Sequence, residues 1–289
     1  MDPAEFIRLL IRSAAGPRRK ARRRILRMDC AAEYNVFLKA YQEAKKKFRR
    51  LSFIQPLPLI SAFSIRGDLD PRLLRRLSGR FALEDDAPVT VHALPVPTAP
   101  PEWIKRPFVP AGIRSVRVPA VWKKSLGDRV RIGVIDTGVD FSHPELQTCL
   151  ARGINLVHPR MPPLDDNGHG THIAGTIAAS GRFGMKGIAP HAVLLPVKAF
   201  DHQGSAYVSD IIKGIDWCVH QGVHIINMSF GMKQRSDSML EAVKNARKAG
   251  VVIVASAGND GKRSFVDYPA RFKYTISVGA DRKSTRLNS

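Results

Sequence analysis

The sequence predicts an α/β protein: a doubly wound parallel sheet with helices on both faces, preceded by a small α+β unit. Three observations predict it. From residue 119 onward, strand runs that are apolar throughout alternate with amphipathic helices. Residues 94–118 form a proline-dense linker ahead of that region. Before the linker, residues 51–93 carry short strands around one short helix.

The chain has 289 residues, of which 44% are hydrophobic and 25% charged, enough for one large core and a smaller one. Lys and Arg number 46 against 25 Asp and Glu, a net charge of +21. Residues 1–50 hold 15 Lys/Arg and 5 Asp/Glu, about half of the excess. Such an arm suits nucleic acid, an anionic membrane surface, a solvated helix or an acidic partner domain. No aromatic-interleaved binding motif accompanies it, so no specific nucleic-acid partner is expected. Cys30, Cys149 and Cys218 form no C-x-x-C pair and no metal-ligand spacing, and are expected as small buried hydrophobes. No run of about 18 apolar residues marks a transmembrane helix. Arg8 and Arg12 interrupt the apolar N-terminal stretch, so no secretory signal is read and no compartment is assigned.

Residues 1–50 read as a basic helical extension, with Phe37, Tyr41 and Phe48 on an amphipathic helix over 34–48. Residues 51–93 follow as the α+β unit, with a start as early as residue 30 left open. Phe53–Gly67 suggests a strand. Asp70 and Pro71 read as the N-cap and first residue of a helix that stops at Ser78-Gly79. Phe81–Glu84 and Val89–Val91 read as further strands. Pro95, Pro97, Pro100, Pro101, Pro107 and Pro110 then exclude helix and sheet.

Beyond the linker, strands are predicted at 130–135, 192–200, 223–228, 251–255 and 274–278. Helices are predicted at 169–179, 206–220 and 236–249. Chemistry in such sheets gathers at the carboxyl ends of the strands. The first strand ends in Ile135-Asp136-Thr137-Gly138, which alone fits a cap or turn as well as a functional site. Gly168 and Gly170 leave room on both sides of His169, which opens a helix. A histidine so placed acts as a general base when a carboxylate orients it. His172 lacks the i, i+4 spacing and third ligand of a helical zinc pair and is read as structural. Asn259 follows a strand in a glycine-flanked turn, as an αL residue or as a donor to an oxyanion.

Three blocks in this order, Val134–Asp140, Asn167–Gly175 and Ala257–Gly261, resemble the subtilisin-like serine protease family. His143–Leu146, Gly187–Pro190 and Asn227–Gly231 match further family blocks. The resemblance covers residues 119–280 and implies roles residue by residue. Asp136 would orient His169, His169 would act as general base and acid, and Asn259 would stabilise the oxyanion. Gly204-Ser205-Ala206 and Ser229-Phe230-Gly231 would clamp an extended peptide or protein substrate. Ser256-Ala257-Gly258 would form one wall of the pocket for the side chain before the cut. Residues 60–91 resemble the latter half of the family's propeptide, implying a zymogen with its own intramolecular inhibitor. A simple N-terminal extension is the alternative there. A monomer is expected.

The family's nucleophile lies in a Gly-Thr-Ser-Met-Ala type block, and no such block occurs here. Without that serine the 289 residues as given are expected to be inactive, and residues 281–289 are read as a tail that departs from the family. Glu145 matches a family calcium-ligand position. The loop that should complete that site, Ser180–Lys186, carries positive charge and no Asn or Asp, whereas calcium takes about six to eight oxygens. No cofactor is expected to be required. Two other readings stand beside the endopeptidase: a non-catalytic subtilase-like binding module, and nucleic-acid or membrane-surface binding through residues 1–50. Retention of Asp136, His169 and Asn259 together favours the enzyme.

Overall fold

The computed structural model describes residues 2–13, 22–48, 51–67, 69–92, 108–259 and 265–279. The N-terminal unit runs α1 (Pro3–Ser13), β1 (Arg23–Arg27), α2 (Ala31–Lys47), β2 (Ile54–Leu57), β3 (Ala62–Arg66), α3 (Pro71–Ser78), β4 (Ala82–Asp85) and β5 (Pro88–Val91). Asp70 caps α3 by accepting from the amides of Arg72 and Leu73. The expected strand over 53–67 is broken into β2 and β3, because Pro58 opens a 3₁₀ turn and Ser61 takes a left-handed conformation, φ 52°.

The boundary at residue 50 is corrected. β1 lies between β3 and β4 in an antiparallel sheet ordered β2-β3-β1-β4. Its arginines disguise a strand buried on both faces. Ile25 points to one core and Leu26 to the other, and both are fully buried. Of the flanking arginines, Arg23 binds Asp86 and Asp210, and Arg24 Nε lies 3.7 Å from Asp85 Oδ1. Part of the basic charge of residues 1–50 is therefore structural. Residues 93–107, most of the proline linker, lie outside the described residues, as does the tail at 281–289.

The second unit continues with α4 (Ala111–Ser115), α5 (Val118–Val121), β6 (Arg131–Asp136), β7 (Ile154–Asn155), α6 (His169–Ala178), β8 (Val193–Lys198), β9 (Ser205–Tyr207) and α7 (Val208–His220). It ends with β10 (Ile225–Met228), β11 (Phe230–Gly231), α8 (Asp237–Lys248), β12 (Val252–Ser256) and β13 (Ile276–Val278). Six strands form a parallel sheet in the order β13-β12-β10-β6-β8-β7. Val134 and Leu194 pack on α6 through Ala174 and Ala178. Ile135, Leu195 and Val197 pack on the opposite face with α7 and α8. Both faces are covered, as the apolar strands require. Gly133 lets α7 approach, since a Cβ there would lie 2.5 Å from Cys218 Sγ. The chain leaves β6 to β7 and β8 on one side, and reaches β10, β12 and β13 on the other. The carboxyl end of β6 is thus a crevice at a topological switch.

The two units share one core: Ile25, Leu57, Ile60, Ala62 and Val89 pack with the α7 and α8 side of the large sheet. Polar contacts fix the orientation. Asp86 accepts from the Ser209 amide (2.9 Å) and hydroxyl (2.7 Å) at the start of α7. Glu84 accepts from the Ser238 amide (2.9 Å) and hydroxyl (2.8 Å) at the start of α8. Each carboxylate meets orphan amides and the positive end of a helix dipole. Arg23 binds Asp86 (2.9 Å) and Asp210 (3.2 Å), and its guanidinium lies 3.8 Å from the Tyr207 ring centroid. Glu84→Ala and Asp86→Ala should each lower the unfolding free energy by about 1–2 kcal/mol in urea titrations. An unchanged midpoint for either variant would refute that cap.

Candidate active site

Asp136 closes β6 with no exposed surface, and His169 opens α6 nearly as buried. Gly170 allows their approach, because a Cβ there would overlap the Gly138 carbonyl oxygen at 2.0 Å. Asp136 Oδ1 accepts from His169 Nδ1 at 2.7 Å and from the Thr137 amide at 2.8 Å. Burial pushes the Asp136 carboxyl up, and the His169 and Thr137 hydrogen bonds oppose that in part. With the proton on Nδ1, His169 Nε2 carries the lone pair and is the basic nitrogen.

The loop before α6 is built on Asp165, which sequence reasoning leaves without a role. Its Oδ1 accepts from Thr137 Oγ1 (2.8 Å) and the amides of Asn167 (3.0 Å) and Gly168 (2.9 Å). Its Oδ2 accepts from the Thr171 amide (2.9 Å) and hydroxyl (2.6 Å). Burial raises the Asp165 carboxyl, but these donors outweigh it and hold it below its usual value. Thr137 Oγ1 in turn accepts from the Gly170 amide at 3.0 Å. Buried Lys198 donates to the Thr137 carbonyl and to Asp166, each at 2.6 Å. A lysine ending an apolar strand beside Asp136 was a readable signal for this contact.

The segments Gly204-Ser205-Ala206 and Ser229-Phe230-Gly231 come together as the two sides of a cleft, and β5 lies between them. The small sheet is ordered β11-β5-β9 and is antiparallel throughout. Val89 faces Ala206, Thr90 faces Ser205 and Gly231, and Val91 faces Phe230. The Val91 amide donates to the Gly204 carbonyl at 3.0 Å, and the His92 amide to the Ser229 carbonyl at 3.4 Å. Gly204 has φ +71° and no room for a Cβ, which would lie 2.5 Å from Val91 Cγ2. The expectation of helix from residue 206 is corrected here. Residues 205–207 are extended because β5 pairs with them.

His92 continues β5 into a pocket. Its Nδ1 lies 2.9 Å from Ser256 Oγ and its Nε2 lies 3.2 Å from Asp267 Oδ2. Gly258 and Gly231 line the Asp267 carboxylate. Ser256, Ala257 and Gly258 thus lie together at the end of β12, and Asn259 follows at the surface. Asp267 carries no motif signal in the sequence beyond preceding a Tyr-Pro turn.

Glu145 is buried and its carboxylate faces hydrogen donors. It accepts from the Ser180 hydroxyl and from the amides of Arg182 (3.1 Å) and Phe183 (2.7 Å). Burial raises its carboxyl, but these donors outweigh that and leave it below its usual value. A cation needs oxygen donors where this loop presents N–H groups, so the loop does not fit calcium. Among the described residues, no three His, Cys, Asp or Glu side chains group as metal ligands. Cys149 and Cys218 are buried, and burial pushes the Cys149 thiol up to about 11, while Cys30 is exposed.

No helix among the described residues is long and apolar enough to cross a membrane. The alkaline protease of Alkalihalobacillus alcalophilus is 39% identical over 209 residues, covering 71% of this chain and 50% of its own. Subtilisin E of Bacillus subtilis strain 168 is 40% identical over 187 residues, covering 63% and 49%. Subtilisin Savinase of Lederbergia lenta is 40% identical over 183 residues, covering 62% and 66%. The chain spans about half the length of the first two of these relatives. The sequence profile of the Subtilase family matches residues 127–288, running past Ala280 where the sequence motifs end. With more than half of its length so matched, and with a parallel sheet carrying Asp136 and His169 at one crevice, the chain belongs to the Subtilase family.

Proposed function

We propose that this protein is a serine-type endopeptidase, made as a zymogen, that hydrolyses peptide bonds through an Asp-His-Ser triad. The observation that carries the reading is the buried 2.7 Å hydrogen bond between His169 and Asp136, beside a cleft that takes an extended strand. A binding module needs the cleft but not that pair. Relatives named alkaline protease and subtilisin support the same reading.

In this mechanism Asp136 holds the His169 ring and stabilises its protonated form. Nε2 takes the proton of a serine hydroxyl as the oxygen attacks the substrate carbonyl carbon. Asn259 donates to the resulting oxyanion, a contribution of about 3–4 kcal/mol. The carbon–nitrogen bond then breaks, and His169 gives its proton to the departing amine, leaving the acyl group on the serine. Water, giving a proton to the same Nε2, attacks that ester carbon, and the serine oxygen leaves with the proton returned by His169. The 289 residues contain no Gly-Thr-Ser-Met-Ala type block. Hydrolysis is therefore assigned to a protein in which these residues are joined to such a block.

Residues 22–92 act in this reading as the intramolecular inhibitor. β5 lies antiparallel between the two clamping segments, as a substrate would. His92 stands at the position before the cut, so the bond cleaved on maturation is His92–Ala93. No calcium is required at Glu145, because Ser180, Arg182 and Phe183 satisfy its carboxylate.

In a product carrying the serine block, His169→Ala should lower kcat by about four to six orders of magnitude. Asp136→Asn should lower it by about four orders, read with a chromogenic peptide. Retention of full activity by either variant would end the triad reading. N-terminal sequencing of the matured product should begin at Ala93, and His169→Ala should stay unprocessed. A mature terminus elsewhere would remove the role given to His92. Glu145→Gln should cost about 1–3 kcal/mol of unfolding free energy at pH 7, with EDTA leaving the midpoint unchanged. The folded pKa of Glu145 is lowered, so its contribution is present above the unfolded value near about 4.3 and is lost as pH falls through the folded one. Urea titrations at pH 7 and pH 3 should show the gap between wild type and Glu145→Gln closing on acidification.

A further inference from the structure

Asp267 is 3% exposed and lies at the base of the pocket that holds the His92 ring. Its backbone is pinned on both sides. The Asp267 amide donates to the Ala257 carbonyl at 3.1 Å, and Tyr268 exchanges two hydrogen bonds of 2.9 Å with Met232. The pocket walls are bare backbone. A Cβ on Gly231 would lie 2.6 Å from His92 Nε2 and 2.8 Å from Asp267 Oδ2, and one on Gly258 would lie 3.0 Å from Asp267 Oδ2. The space between those walls belongs to the carboxylate and to the side chain that enters.

A carboxylate so buried demands a donor or a cation. Lys233 meets one oxygen, with Nζ 2.8 Å from Oδ1. It does so from the rim, with its side chain half exposed, and it also lies 5.4 Å from the Phe265 ring centroid. The other oxygen, Oδ2, faces the entering side chain and lies 3.2 Å from the imidazole Nε2 of His92. Burial lowers the His92 pKa and Asp267 raises it, with a net lowering. The resident imidazole reaches hydrogen-bond distance of Asp267 but is a weaker source of charge than a permanent cation. A longer side chain ending in a cation would bring both the hydrogen bond and the charge.

We propose that Asp267 makes this pocket selective for lysine or arginine at the residue immediately before the scissile bond. The inference rests on reading the β5 cleft as the substrate site of an endopeptidase. It adds that the substrates are chains with a basic residue at the cut, and that Asp267 is the determinant.

The test uses the full chain and needs no hydrolysis. His92→Lys, His92→Arg and His92→Leu are made with Asp267 intact, with Asp267→Asn and with Asp267→Ser. Thermal midpoints are then compared at pH 7. With Asp267 intact, His92→Lys and His92→Arg should melt about 3–8 °C above His92→Leu. With either Asp267 substitution the order should reverse. Lys233→Ala should widen the gap between His92→Lys and His92→Leu, an arm that does not depend on the Asp267 variants folding. A His92→Leu chain as stable as His92→Lys with Asp267 intact overturns the selectivity. So does a gap that Asp267→Asn leaves unchanged. Equal midpoints for every residue-92 variant would show that the pocket does not hold this residue, and would overturn the placement of β5 as well. Failure of the triad measurements would leave these shifts standing, so the two ideas fail separately.

Discussion

The Asp136 carboxylate has been taken out of water completely, and much of the surrounding architecture exists to make that tolerable. An unpaired buried carboxylate would simply take a proton. Here Thr137 and His169 both donate to one oxygen. The loop that presents His169 is itself tied down by Asp165, whose five accepted hydrogen bonds span residues 137–171. Lys198, arriving on the neighbouring strand, holds the Thr137 carbonyl from below. The ring cannot rotate away without breaking this set. The close approach of α6 to the end of β6 depends in turn on glycine at position 170.

The N-terminal unit uses the same device at its boundary. Its carboxylates Glu84 and Asp86 sit at the starts of two helices belonging to the other unit. Helix ends carry amides that nothing within the helix can satisfy. By meeting them, the β4–β5 segment orients itself against α7 and α8 before any cleft contact is counted. Arg23 then bridges back to Asp86 and Asp210, so the charge pattern on both sides is used. β5 follows directly and is delivered in register to β9 and β11.

The sequence was most legible where chemistry and backbone constraint coincide. Asp136, His169 and the glycines around them stand in motifs because each needs its neighbours' backbone. The alternation of apolar runs with amphipathic helices was enough to place the parallel sheet. Legibility failed where a tertiary partner decides the local state. Residues 23–27 look like a charged arm, yet Ile25 and Leu26 are buried on opposite faces of an inner strand. Residues 205–207 look like the start of a helix, yet β5 holds them extended. Glu84, Asp86 and Asp267 are ordinary acidic residues in sequence. Their significance lies in what the fold puts opposite them.

β5 has partners along both backbone edges, β9 on one side and β11 on the other. A strand inside a host sheet already spends at least one edge, and a helix turns both inward. Neither can occupy this groove. The place of residues 88–92 thus suits a lone, fully extended ribbon with two unclaimed rows of amides and carbonyls. On the endopeptidase reading proposed above, such a groove would sort polypeptides by conformational freedom before any side chain is read: it would pass by a tightly folded molecule and admit a frayed or denatured stretch of the same composition.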